Sequence, residues 1–244
     1  MLKDNLIELL TKRDKNKKKS TIPARLDFIQ SLTGAVLALF ITFHILFESS
    51  ILLGKDAMHA LTKAFELDFI FEGGEPLVIA VLAFIIFVVF ILHAFVAMRK
   101  FPSSYREYFA YRTHAKLIKH EDTNFWFIQI TTGFMMFFLG SVHLYIMMTQ
   151  PQNIGPFASA DRVYSDVMWP LYLLLLVSVV LHAAIGIYRL ILKWGWFDRS
   201  TSKIVIKIAT IFYLVVGLFS LGAYMKIGYE HQDEYGKRYT MERK

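Results

Sequence analysis

Four histidines stand inside four separate long apolar stretches: His44, His93, His143 and His182. A half-polar imidazole is costly in hydrocarbon, so each is a candidate functional side chain. Imidazole nitrogen is also a common metal ligand, and four rings, one to a stretch, read as two centres, each clasped between two helices. An iron with both axial positions filled by imidazole has no open site for oxygen and suits electron transfer through haem. The chain has no cysteine, which excludes disulfides, iron–sulfur ligation by this chain, thiolate ligation and covalent attachment through C-x-x-C-H. Any haem is therefore non-covalent and histidine-bound. The remaining histidines, His59, His114, His120 and His231, fall in connections and need no special role.

The elements that hold these rings are read from hydropathy. Runs of about twenty uncharged residues, in a chain that is 55% hydrophobic, are long enough to cross a bilayer as helices. In hydrocarbon every backbone group must be paired within its own segment, which forces the helical reading despite many Val and Ile residues. Five spans are expected, at about 26–53, 77–98, 125–149, 168–192 and 204–226. Pro76 and Pro170 fall at span starts, where a missing amide donor does little harm. The expected fold is an all-α integral membrane protein, one membrane domain over 1–244, in which five helices enclose two b haems. The first apolar run is too long for a signal core and contains His44, so it is read as retained. No internal repeat stands out.

Lys and Arg set the orientation. They crowd the arm 1–25, the second connection (Arg99 to Lys119) and the fourth (Lys193 to Lys207), but are sparse in the first and third. The positive-inside rule then puts the N-terminus in the cytoplasm and the tail 227–244 on the far side of the membrane, the periplasm if the membrane is a bacterial inner one. The net charge of +7 is accounted for by these flanks, with no nucleic acid implied. Residues 103–124 mix aromatics with bases and fit either an inner surface helix or a solvated linker.

Depth follows at about 1.5 Å per residue. His44 and His143 each lie roughly 27 Å along outward-running helices, whereas His93 and His182 lie roughly 8–11 Å from the inner charges. The levels match in pairs: His44 with His143, and His93 with His182. Small residues beside them, including Gly34, Gly133, Gly140 and Gly186, give room for a flat ring, although ordinary helix packing uses the same residues. Gln30, Ser31, Trp126 and Lys193 at the inner ends, with Arg162 outside, are candidate haem-propionate contacts. Interfacial anchoring explains Trp126 and Lys193 equally well. The outer connection KAFELDFIFEGGEP (63–76) sets Glu66 among aromatic and aliphatic residues, where its carboxylate could take a proton from a quinol. A plain acidic loop is the competing reading.

Several stretches carry a more specific likeness: PARLDFIQSLTG (23–34), FELDFIFEGG (65–74), HAFVAMRKFP (93–102), TGFMMFFLGSVHLYIMMTQPQ (132–152), MWPLYL (168–173) and YRLILKWGWFD (188–198). Over almost its whole length the chain resembles the cytochrome b subunits of dihaem quinol:fumarate reductases and related succinate dehydrogenases of epsilon-proteobacteria. The resemblance implies His93 and His182 as ligands of the proximal haem b, His44 and His143 as ligands of the distal haem b, and Glu66 as the carboxylate at the menaquinol site. It implies partners holding FAD and Fe–S clusters: a flavoprotein and an iron–sulfur subunit, in a heterotrimer that can dimerise. Electrons would run from menaquinol through distal and proximal haems to fumarate, or in reverse from succinate. This chain, with no flavin or dicarboxylate motif, is then the electron-carrying and quinol-oxidising anchor. Some relatives carry a glutamate two residues before the fourth ligand to move protons inward; here Val180 stands there, so either another route exists or turnover is electrogenic.

Two other functions share the five-span pattern. A dihaem anchor of a hydrogenase or formate dehydrogenase differs in its partners. A proton-coupled transporter using histidine relays binds no haem and leaves the paired depths unexplained.

Overall fold

A computed structural model describes residues 20–118 and 121–240. The basic arm through Lys19, His120 and the tail from residue 241 lie outside those residues. Among the described residues all regular structure is helical. Five long helices are apolar enough to cross a membrane: α1 (Ile22–Glu48), extended by a 3-10 turn (Ser49–Leu53), α3 (Pro76–Met98), α5 (Glu121–Thr149), α7 (Trp169–Trp194) and α8 (Arg199–Glu230). Between them lie the shorter α2 (Lys55–Phe65), α4 (Tyr105–Ile118) and α6 (Pro156–Tyr164).

Local chemistry sets the helix ends. Pro76 opens α3, with the Glu75 side chain accepting from the Leu77 amide at 3.1 Å. Gly195 ends α7 in the left-handed region (φ 68°), returning its amide to Ile191 and Leu192 carbonyls, a conformation glycine adopts without steric cost. Helix α8 starts at Arg199, not near residue 204, because the Asp198 carboxylate caps its first turn through Thr201 N at 2.9 Å. Within the segment 103–124, residues 105–118 form a helix; its Tyr111 ring meets Trp126 edge-on at 5.4 Å.

Helices α1, α3, α5 and α7 form a closed ring: α3 packs on α1 and α5, α5 on α7, and α7 back on α1, while α8 lies outside against α7. Large apolar side chains point outward, for example Leu39, Phe95 and Phe219 at 62%, 72% and 67% exposure. Such surfaces are ordinary in lipid and hazardous in water. At one end, α2, α6, the 3-10 turn and residues 231–240 make a cap. Gly228 of α8 lies so close to α6 that a Cβ there would meet the Ala160 carbonyl oxygen at 2.6 Å. The opposite end carries Asp27 of α1 in ion pairs with Arg99 and with Lys100, the latter at 3.0 Å.

Candidate metal centres

The four helices surround a partly open cavity of about 1350 Å³, lined along most of its length by apolar side chains and by all four span histidines. Protein interiors seldom leave voids larger than a water molecule. The fold therefore calls for a large, mainly apolar occupant.

The histidines meet across this cavity in two pairs. His44 and His143 have ring centres 6.0 Å apart, and His93 and His182 6.4 Å apart. Two imidazoles on opposite sides of one metal should stand about 6.3 Å apart, from metal–nitrogen bonds of about 2.0 Å and about 1.15 Å from nitrogen to ring centre. Both pairs fit. No group of three or more His, Cys, Asp or Glu side chains suited to a metal occurs among the described residues. Zinc sites draw three or four protein ligands, whereas a porphyrin supplies its own equatorial nitrogens and needs only axial ones, so the donor sets suit haem.

Hydrogen bonds select the ligating nitrogen at the first level. Thr33 Oγ1 donates to the Ile29 carbonyl at 2.8 Å and so accepts from His93 Nδ1 at 3.0 Å. His182 Nδ1 lies 3.0 Å from the Gln129 carbonyl, which can only accept, and 3.4 Å from Thr132 Oγ1. Both Nδ1 atoms therefore carry the proton, leaving each Nε2 lone pair for a metal, the orientation that outer hydrogen bonds impose on ligating histidines. Gly34 and Gly133 back the same two rings: an added Cβ would lie 3.0 Å from His93 Cε1 and 2.9 Å from His182 Cε1. The second level is held differently. His44 stacks on Phe40 at 5.3 Å, His143 meets Tyr172 edge-on at 5.7 Å, and His143 Nδ1 is buried without a hydrogen-bond partner among the described residues.

These supports follow a sequence signal that the hydropathy reading passed over. Helix α1 carries Gln30-x-x-Thr33-Gly34 with His44 ten residues further on, and α5 carries Gln129-x-x-Thr132-Gly133 with His143 ten residues further on. The chain does contain a short internal repeat. Its Thr and Gly brace the ring that α3 or α7 contributes to one level, and its His supplies the other level.

All five candidate propionate contacts lie on the cavity wall. Lys193 Nζ donates to Ser31 Oγ at 3.1 Å near the Asp27 end, where Gln30 Oε1 is buried and unpartnered. Lys100 and Arg189 join them there. Arg162 stands alone at the capped end, 8% exposed, donating to the Asn153 carbonyl at 2.5 Å. Cations at both ends, Lys193 with Lys100 and Arg189 at one and Arg162 at the other, suit a carboxylate-bearing ring at each level.

Glu66, just past the end of α2, is 3% exposed, and its Oε2 accepts from Lys63 Nζ at 2.6 Å. Gly74 (φ 79°) closes over it so tightly that a Cβ would lie 2.6 Å from that oxygen. Its neighbour Phe65 lines the cavity, whereas Glu66 does not. Of the histidines set aside from sequence, His59 lies on α2 and His114 on α4. His231 departs from the expectation of an ordinary loop residue. It is 5% exposed, pairs with Asp161 at 2.9 Å and stacks on Phe157 at 4.1 Å, because the cap folds back over the end of α8.

Comparison with known proteins adds a family context. Residues 106–218 match the model for the succinate dehydrogenase/fumarate reductase transmembrane subunit. Over 240 residues the sequence is 52% identical to the fumarate reductase cytochrome b subunit of Wolinella succinogenes, covering 96% of this chain and 94% of that protein. Fumarate reductase cytochrome b subunits from two strains of Helicobacter pylori are 45% and 44% identical over 236 residues, covering 96% of this chain and 92% of theirs.

Proposed function

Because the chain belongs to the fumarate reductase cytochrome b subunits, multi-pass membrane proteins that bind haem b and associate with the catalytic subunits of their complex, we propose that it is a dihaem quinol-oxidising anchor. In this reading His44 and His143 hold one haem b and His93 and His182 hold the other. The two groups would supply one-electron chemistry between menaquinol and the partner subunits, an iron–sulfur protein and a flavoprotein with FAD, where fumarate is reduced or succinate oxidised. The single observation that carries the proposal is the pair of imidazole separations, 6.0 and 6.4 Å, on a common cavity.

The protein's own residues have assigned tasks. Thr33, the Gln129 carbonyl and Thr132 hold two imidazoles in the tautomer that frees Nε2. Gln30, Ser31, Trp126, Lys193 and Arg162 receive the propionates. Glu66, one residue from the cavity wall at Phe65, accepts a proton as the quinol is oxidised, with Lys63 releasing it in the process. Outward apolar side chains exclude water from the spans. With Asp27, Arg99 and Lys193 at the cytoplasmic end, the catalytic partners dock there and the cap faces the periplasm.

The test is a dithionite-reduced minus oxidised spectrum of the purified complex with pyridine haemochrome quantification. Two haems b per chain is the expected result. A flat spectrum refutes the proposal.

A further inference from the structure

Glu48 ends α1 inside the apolar span, one turn beyond His44. Of the described residues that line the cavity it is the only carboxylate; the charged side chains beside it in that wall are all cationic. Its Oε2 accepts from the Tyr224 hydroxyl at 3.0 Å, and Tyr224 is itself 5% exposed. Beside this contact Ser220 donates to Ser49 at 3.0 Å, closing the seam between α1 and α8. Glu48 is half-buried against the cavity wall, and one hydroxyl satisfies only part of its carboxyl group.

From this placement we infer that Glu48 is a proton-binding site at the outer end of the first span, filled when an electron reaches the His44/His143 centre and emptied when it leaves. The inference rests on the haem reading above. The groups facing Glu48 are few. Helix α8 brings Tyr224; α7 brings Tyr172, which feels the Glu48 charge; and α6 brings Arg162, which acts on both tyrosines. Helix α1 itself brings His44. Along the cavity wall α3 brings Ile79 and Leu82 to this half, α5 brings Leu144 and Met147 besides His143, and α2 brings Phe65.

The step balances simply. One electron adds one negative charge at the neighbouring centre, and the Glu48 carboxylate takes up one proton from the capped side, forming an O–H bond. When the electron departs that bond breaks and the proton returns to water. In a low-dielectric cavity nearby charges interact far more strongly than in water, and one bound proton neutralises one electron.

The test is an optical redox titration of the b haems in the purified complex over a range of pH. With strict coupling the reduction equilibrium of one haem shifts tenfold per pH unit, about 59 mV for one electron. Glu48→Gln still accepts the Tyr224 hydrogen bond but cannot titrate, so its titration should become independent of pH while both haems stay bound. Redox-difference infrared spectra should lose a protonated-carboxyl band in the same variant. A purely structural Glu48 would leave slope and band unchanged, and that result overturns the inference while the haem assignment stands. Absence of haem in the parent would instead overturn the assignment. Should Glu48→Gln lose haem, Tyr224→Phe is the second probe. Removing the hydroxyl that hydrogen-bonds the Glu48 carboxyl should shift the redox-linked carboxyl band in the infrared spectra, and an unshifted band refutes the coupling.

Discussion

Gly133→Ala probes the first centre through a single added methyl group. Its Cβ would stand 2.9 Å from His182 Cε1 and 3.3 Å from Nδ1. Carbon atoms in contact prefer about 3.5–4.0 Å, so the ring must retreat by roughly 0.6–1.1 Å. It cannot retreat freely, because Nδ1 is tied to the Gln129 carbonyl one turn earlier on the same helix. Metal–ligand distances tolerate about 0.2 Å, several times less than the required displacement. The expected outcome is loss or weakening of one haem, by at least the roughly 10–100-fold in affinity that disturbing an outer-shell partner costs. Gly34→Ala should damage the same centre from the opposite ring, since its Cβ would lie 3.0 Å from His93 Cε1. Gly140→Ala is the control: its Cβ would sit 3.6 Å from Phe90, an ordinary contact. Haem-to-protein ratio by pyridine haemochrome, followed by redox titration of the remaining component, separates these outcomes. If Gly133→Ala kept two haems with unchanged spectra and potentials, the proposed bracing of His182 would be refuted.

His93→Ala should bind one haem and block electron flow from quinol to fumarate, whereas His59→Ala, whose ring lies on α2 away from the cavity wall, should bind both; equal haem content in the two variants would refute the ligand set. Thr33→Val removes an acceptor from His93 Nδ1 while the Gln30 backbone contact remains, so haem retention in a chelation or dilution series should fall by about tenfold or less. Val180 is 5% exposed and carries no proton, so turnover of the complex in sealed vesicles should generate a membrane potential. Each charge moved against 100 mV costs about 2.3 kcal/mol, and an unresponsive voltage dye during full turnover would remove the electrogenic option.

The spans were legible because hydrocarbon leaves the backbone little choice. Twenty uncharged residues with a proline at the start admit one structure, and α3 begins at Pro76 for that reason. Helix ends were less legible where polar caps extend the helix beyond its apolar run, as Asp198 does for α8. The cap over the far end was not readable from hydropathy. Its buried Asp161–His231 pair joins residues 70 apart in sequence, and its short helices are too polar to register as spans. Residues 103–124 were ambiguous because aromatics and bases suit a surface helix and a linker equally; the helix formed by 105–118 packs its Tyr111 on Trp126, a contact between residues distant enough in sequence to leave no local signal.

The four histidines were visible one at a time because isolated polar rings stand out against apolar sequence. Their supports were not, because Gln, Thr and Gly are unremarkable in any helix taken singly. Only the repeated spacing in α1 and α5 distinguishes them, and its meaning is geometric. Ten residues of helix advance about 15 Å, so the same motif on two helices braces one pair of rings and supplies the other pair a fixed distance further along the cavity. The two levels are therefore not independent sites. A shift of α1 relative to α5 would misalign the His44–His143 pair and, through Thr33 and Thr132, disturb the hydrogen bonds of His93 and His182 together. That coupling gives the Asp27 ion pairs with Arg99 and Lys100, which tie α1 to the end of α3, and the Tyr224–Glu48 contact, which ties it to α8, a shared consequence: both fix the height of α1, and with it both centres.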